Sequence, residues 1–240
     1  MEDRDTSLVE ILKENEIEIT PVQAAQLNKF YDMVVEKNKV MNLTAITEYD
    51  EFVLKHFVDS LSLVKTGIDI SGKKIIDVGT GAGFPGIPLK IVYPDTDIVL
   101  MDSLNKRLVF LNEVIAELGL NKICTVHGRA EELGVNPSYR EQFDFCVSRA
   151  VARLATLCEY CIPFVKKGGC FISYKSGNVE EELTEAKKAI KLLGGESKDT
   201  VMFNLAGEEI GRSFVIIKKV DNTPKKYPRQ AGKPSKEPLV

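Results

Sequence analysis

Apolar residues in the first 70 positions recur at helical spacing. Leu8, Ile11 and Leu12 form one set, Leu27, Phe30, Tyr31 and Val34 a second, and Phe52, Val53, Phe57, Leu61 and Val64 a third. Thr20-Pro21 reads as an N-cap followed by proline at the first helical position. Nothing here alternates as a strand does. At Lys73 the pattern changes. Lys74–Val78, Asp97–Asp102, Ile123–Val126, Phe143–Val147 and Cys170–Tyr174 read as short apolar strands. Between them lie helix-like runs at Ile87–Tyr93, Lys106–Leu118 and Leu154–Val165, the last ending at Gly168-Gly169. Glu180–Leu193 is a charged amphipathic helix, and two late strands follow near Thr200–Asn204 and Ser213–Lys218.

Regular alternation of strand and helix with short connections predicts parallel strands and right-handed crossovers. The last two strands have no room between them for a helix, so they are expected to pair antiparallel. The predicted fold is α/β: a mostly parallel sheet flanked by helices, with a helical extension over residues 1–70, a ligand-binding domain over 71–220 and a tail over 221–240. Four prolines (Pro224, Pro228, Pro234, Pro238) are expected to keep that tail out of regular structure, leaving it mobile or ordered against a partner.

Composition narrows the class. No run approaches the ~18 apolar residues of a membrane helix, and the acidic start has no signal-peptide core, so a cytosolic protein is expected. Five cysteines without regular spacing argue against a disulfide framework. Cys158 and Cys161 form a lone C-x-x-C inside a predicted helix, with no second ligand pair nearby, so they read as free thiols and no metal is expected. From Lys218 onward there are seven basic residues and two acidic ones, so the tail carries +5 while the rest of the chain carries −8. Either the tail meets a polyanion or it is a solvated, solubilising segment.

The chemistry begins at Asp77-Val78-Gly79-Thr80-Gly81-Ala82-Gly83-Phe84-Pro85-Gly86, which follows a strand and opens a helix. Ligands of open α/β sheets bind beyond the strand C-termini, so this loop is a cofactor site by position. Gly81-x-Gly83-x-x-Gly86 also fits the dinucleotide fingerprint. Two features weigh against it. A carboxylate at Asp77 repels a pyrophosphate but suits a cationic amino group, and Pro85 removes a backbone donor where a pyrophosphate needs one. S-adenosylmethionine carries an ammonium and a sulfonium and no phosphate. Asp102, at the second strand's end, suits the two ribose hydroxyls of an adenosine or, alternatively, caps the next helix. In Gly128-Arg129-Ala130-Glu131-Glu132, Ala130 and Glu131 either border an adenine or form a capping turn.

The fourth strand runs into Ser148-Arg149-Ala150, at the end expected to face a transferred methyl group. No Asn-Pro-Pro-Tyr element follows it; Asn136-Pro137-Ser138-Tyr139 precedes it and reads as a turn. No cysteine follows a proline, which removes the usual pyrimidine nucleophile. Both absences point to an acceptor that is already nucleophilic, such as guanine N7, with catalysis resting on placement. Arg149 would then hold cofactor or base. His56 and Asp59, at i and i+3, are expected to be structural.

These residues resemble the bacterial 16S ribosomal RNA guanine-N7 methyltransferase family, also called the glucose-inhibited division protein B family. The resemblance is carried by Asn42-Leu43-Thr44-Ala45-Ile46, His56-Phe57-Val58-Asp59-Ser60-Leu61, Asp77 through Leu89, Arg129-Ala130-Glu131, Ser148-Arg149-Ala150, Tyr174-Lys175 and Pro228-Arg229-x-x-Gly232-x-Pro234-x-Lys236-x-Pro238-Leu239. It implies a class I (Rossmann-like) methyltransferase fold with a seven-stranded sheet. The implied cofactor is S-adenosylmethionine, in a pocket that includes Gly79, Phe84, Ala130, Glu131 and Arg149; the glycine loop and the strand ends add Asp77, Gly81, Gly83 and Asp102 as expected contacts. The implied substrate is a guanine in the 530 loop of 16S RNA, on free RNA or the small subunit. On that reading Lys225, Lys226, Arg229, Lys233 and Lys236 meet phosphates and Tyr227 stacks on a base. Methylation of a protein or small molecule, and a nucleotide-binding module without turnover, are the competing readings.

Overall fold

The computed structural model describes residues 2–149, 151–177, 179–205 and 211–240. Two helices open the chain, α1 (Glu2–Glu14) and α2 (Pro21–Met41). Thr20 caps α2 through a capping box: its hydroxyl accepts from the Gln23 amide, and the Gln23 side chain accepts from the Thr20 amide. The third periodic set is a broken helix, α3 (Tyr49–Phe52), a π-helical turn (Val53–Val58), α4 (Asp59–Leu61) and a 3-10 turn (Ser62–Thr66). Phe52, Val53, Phe57 and Leu61 are buried as expected, but Val64 is 40% exposed, because the wide π turn shifts the apolar stripe away from it.

The sheet begins with β1 (Lys74–Val78) and continues α5 (Gly86–Val92), β2 (Asp97–Asp102), α6 (Asn105–Glu117), β3 (Ile123–His127), α7 (Ala130–Leu133) and β4 (Phe143–Arg149). Then come α8 (Leu154–Cys161), a 3-10 turn (Ile162–Phe164), β5 (Val165–Ser176), α9 (Glu180–Leu192), β6 (Gly195–Ser197), β7 (Val201–Asn204) and β8 (Gly211–Lys219). The strand order is β3-β2-β1-β4-β5-β8-β6, with β7 also paired to β8. β1 to β5 are parallel, and β8 is antiparallel to β5.

The architecture is the expected one, with three corrections. The sheet has eight strands rather than seven. β6 and β7 pair successively with the same long strand, so together they make one broken edge. β5 starts at Val165, inside the predicted helix. Gly168 and Gly169 do not stop a helix but form a bulge, in which the register jumps from Phe143↔Val165 to Phe145↔Cys170. The tail is also folded. Pro224 to Val240 lies back on α7 and α8, and Lys233–Lys236 forms a one-turn helix, α10, started by Pro234 rather than broken by it.

Core packing ties the extension to the sheet. Leu8, Leu27, Phe30 and Phe57 are fully buried in one cluster that also holds Ile75, Ile87, Leu111 and Ile172. Phe84, from the glycine loop, packs its ring among Phe30, Phe52 and Phe57 in tilted and edge-on contacts. On the opposite sheet face α8 and α9 bury Cys158 and Cys161 beneath Val165 and Val215. Burial pushes the Cys158 and Cys146 thiols up, so they remain protonated.

Candidate active site

A cavity of about 640 Å3 opens beyond the C-terminal ends of β1, β2, β3 and β4, where the strand order reverses between β1 and β4. Its floor is the loop after β1. Gly79 has φ 75°, and a Cβ there would meet Val151 Cγ2 at 2.7 Å, so only glycine closes this turn. Gly79, Gly81 and Phe84 line the cavity; Asp77 and Gly83 do not. Gly83 (φ 104°) faces the core, where a Cβ would press on Ile87 and Leu111. Its glycine is a packing requirement.

Asp77 sits fully buried behind the loop. Its Oδ2 accepts from Thr80 Oγ1 at 2.7 Å and from the Gly86 amide at 2.9 Å, pinning both ends of the turn. Its Oδ1 is buried without a hydrogen-bond partner among the described residues. Complete burial raises its pKa to about 7 against the pull of those donors. Most of the other loop amides are spent as well, Ala82's being the exception among the described residues. Gly79 and Thr80 donate to Met101 O, Gly83 and Phe84 to Thr80 O, and Gly81 to Asp102 Oδ2. A pyrophosphate cradle needs several free donors at this point, and among the described residues this loop leaves one, the Ala82 amide.

Asp102 lines the cavity at the end of β2. Besides Gly81, it accepts from the Leu104 amide at 2.8 Å and from Arg107 Nη1 at 3.2 Å. The N-cap of α6 is Leu104, so Asp102 closes an Asx turn before the helix instead of capping it. At the end of β3, Ala130 and Glu131 line the cavity and also start α7, so the two readings of that loop coincide. Glu131 Oε1 accepts from the Gly232 amide at 2.8 Å.

The β4 end carries a polar cluster. Arg149 donates through Nη1 to Asp59 Oδ2 (2.7 Å) and Lys55 O (3.0 Å), and its guanidinium lies over the Phe84 ring at 5.1 Å. Arg212 Nε donates to the other oxygen of Asp59 at 3.0 Å. Arg149 Nη2 lies 3.1 Å from His56 Nδ1. A guanidinium only donates, so Nδ1 is the acceptor and the imidazole proton sits on Nε2, 2.9 Å from Thr44 Oγ1. The ring stacks on Phe84 at 4.5 Å and 13°. Burial, reinforced by the Arg149 charge, lowers the His56 pKa to about 3, so this histidine is neutral. Ala150, the last residue of the expected Ser148-Arg149-Ala150 element, lies outside the described residues; Ser148 donates to Val78 O and bridges β4 to β1.

His56 and Arg149 also line a second cavity of about 410 Å3, with Lys55, Asp59, Lys175 and Arg212. Lys175 pairs there with Glu182 at 2.7 Å. Sequence reasoning missed Thr44, Arg107, Tyr160, Arg212 and Ser235. Thr44 lay in a quoted signature without a role. Arg212 reaches Asp59 across 153 positions, and no local pattern signals such a pair.

Of the expected RNA contacts, Lys225, Lys226, Lys233 and Lys236 are exposed. Arg229 is not free: it grips the buried Glu159 through Nε and Nη2 at 2.7–3.1 Å. Tyr227 is only 6% exposed and has no face open for a base. Among the described residues no cluster of three or more His, Cys, Asp or Glu is arranged to hold a metal, and no helix is long and apolar enough to cross a membrane.

Known proteins give a consistent comparison. The GidB family, described as rRNA small subunit methyltransferase G, matches residues 23–210. A curated relative from Lachnoclostridium phytofermentans, named Ribosomal RNA small subunit methyltransferase G, is 53% identical over 99% of this chain and 98% of its own. Among solved structures, TrmN from Thermus thermophilus superposes with a TM-score of 0.52 at 16% identity, over 68% of this chain and 48% of its own. TYW2 from M. jannaschii, in complex with AdoMet, does so at 0.52 and 13%, over 66% and 74%. These two likenesses establish the fold, and the family match with its full-length relative establishes more: the chain belongs to the rRNA small subunit methyltransferase G family.

Proposed function

We propose that this protein transfers the methyl group of S-adenosylmethionine to N7 of a guanine in the 530 loop of 16S ribosomal RNA. The observation that carries the reading is a pair of adjoining cavities with His56 and Arg149 in their common wall: one ends in a glycine loop whose amides are nearly all bonded within the protein, the other is cationic. The first cavity has the size of small-molecule sites, roughly 300–1,000 Å3. Its chemistry fits a cofactor without phosphate: all but one of the loop's amides are already used, and the Asp77 carboxylate buried behind the loop favours a cationic group nearby. The AdoMet bound by the M. jannaschii relative in fold supports the same cofactor.

Bound there, S-adenosylmethionine supplies an electrophilic methyl group on a sulfonium. The Asp102 carboxylate, at the β2 end, accepts from ribose hydroxyls, as the acidic residue does in nucleotide folds. Ala130 and Glu131 border the adenine. The loop from Gly79 to Phe84 holds the methionine portion, with Asp77 fixing the turn from behind. In the common wall Arg149 is matched by Asp59, and neutral His56 has both ring nitrogens engaged. Neither is free to take a proton. Guanine N7 needs no deprotonation, so placement of the base is sufficient chemistry. In the second cavity Lys55, Arg149, Lys175 and Arg212 outnumber the carboxylates of Asp59 and Glu182, a balance suited to a nucleotide. Lys225, Lys226, Lys233 and Lys236 extend that attraction along the tail to RNA phosphates. A ribosomal substrate also puts the protein in the cytosol.

The test is transfer of labelled methyl groups to small-subunit RNA or subunits lacking the modification, with protein extracts as competing acceptors. Label in RNA that falls steeply between low and moderate salt is the expected result. Label in protein alone would overturn the reading.

A further inference from the structure

The tail was expected to be mobile or ordered against a partner, with RNA the partner the resemblance implies, yet its inner side belongs to the proposed cofactor's cavity. After β8 the chain is clamped to the domain at successive points. Arg140 donates to the carbonyls of Thr223 and Tyr227, at 2.6 and 2.8 Å. Gly134 leaves room for Pro228, whose Cγ would lie 3.0 Å from any Cβ there. Arg229 fixes the next step on Glu159, a carboxylate 1% exposed, using its backbone amide as well as its side chain. Arg229 Nη2 also donates to Glu237 O at 2.7 Å, drawing the segment into a closed loop. Thr156 Oγ1 donates to Pro234 O. Between these anchors, Gly232 and Ser235 face the 640 Å3 cavity beside Tyr160, opposite Ala130 and Glu131.

We infer that this C-terminal strap is the outer wall of the adenosine end of the cofactor cavity. In this arrangement Arg229 is a positioning residue that holds the Gly232 amide on Glu131. The inference rests on the proposed S-adenosylmethionine site and adds to it an element distant from the glycine loop in sequence. Glu131 is 8% exposed and its carboxylate takes a hydrogen bond from the strap, so its direction depends on where the strap lies. Without the strap, Tyr160, Ala130 and Glu131 open to solvent and the adenine loses one side of its slot. The strap thus has two faces with separate tasks: the exposed lysines point outward for RNA, and Gly232 and Ser235 line the cofactor's side.

Calorimetry with S-adenosylhomocysteine on the full chain tests this. Arg229→Ala is expected to weaken binding about tenfold, the scale of one lost charge-assisted hydrogen bond. Arg229→Lys, which retains the charge but not the fork, should fall between. In turnover, the KM for cofactor should rise while the KM for RNA stays within about twofold, and Lys225→Ala with Lys226→Ala should do the reverse. Because Arg229→Ala strands the buried Glu159 and so puts folding itself at risk, hydrogen exchange on the unmodified protein gives an independent reading. Saturating S-adenosylhomocysteine should protect the amides of Gly232, Lys233, Lys236 and Glu237. Ligand binding without added protection there, or a folded Arg229→Ala variant with unchanged affinity, would overturn the strap's role. Failure of the unmodified protein to bind S-adenosylhomocysteine at all would instead overturn the cofactor assignment beneath it.

Discussion

His56 gives its Nδ1 lone pair to Arg149 and its Nε2 proton to Thr44, and it stacks on Phe84. A neutral ring is therefore built into the fold, and this has a consequence for stability. The pKa of His56 falls from the ordinary 6.5 to about 3 on folding. Between those values the unfolded chain binds a proton that the folded chain does not, so stability is full above 6.5 and declines as pH falls toward 3. Asp77 has the opposite sign: its pKa rises from 3.8 to about 7, so its contribution declines as pH rises through that window. Denaturant titrations at pH 7 and 5 should show a smaller acid loss for His56→Gln than for the unmodified chain; equal losses would contradict the neutral histidine. Arg149→Ala leaves Asp59, only 10% exposed, with one arginine instead of two. It should cost about 3 kcal/mol and most of the activity, read as a lower denaturant midpoint and a lower kcat. Gly86→Ala would force a Cβ against Leu100 Cδ2, and within 2.9 Å of Asp77 Oδ2, and should cost about 1–3 kcal/mol in the same assay.

Elements built from local patterns were legible, and those built from distant partners were not. The glycine loop between a strand and a helix, the Thr20 cap and the β-α alternation all follow from neighbouring residues, and the structure has them where the spacing predicts. Gly168-Gly169 misled because glycine ends a helix and bulges a strand with the same letters; the choice was made by the pairing with β4. Asp77 and Gly83 looked like ligand contacts because they stand in the motif, but which side of a tight loop a residue faces depends on what packs beneath it. The strap is the clearest case. Its prolines and lysines read as a segment that is mobile or ordered against a partner, and the residues that fold it onto its own domain, Arg140 and Glu159, lie some 70 to 87 positions away. Its outer face is a separate question. Replacing Lys225, Lys226, Lys233 and Lys236 together by alanine should weaken RNA binding and flatten its dependence on salt, by a slope of up to about 3.6 if all four meet phosphates on a duplex. An unchanged slope in filter-binding titrations would remove these lysines from the RNA contact.

At the scale of the whole molecule, the helical extension is packed into the same core as the sheet, with Phe30 and Phe57 against Phe84 of the glycine loop. The extension also supplies Thr44 to the first cavity, Asp59 to the second and His56 to the wall they share. The sheet offers the cofactor a site of the common kind, while the extension and strap give that site its particular walls. This division explains why relatives matching over nearly the whole chain speak to the reaction, and distant structural neighbours speak only to the fold. The central claim is the transfer of one methyl group to one atom of one base. It is tested most directly by digesting methylated small-subunit RNA to nucleosides and weighing the product, with the labelled fragment mapped to its loop. 7-Methylguanosine from the 530 loop is the predicted result. A labelled nucleoside of any other kind, or 7-methylguanosine from elsewhere in the RNA, would contradict the account.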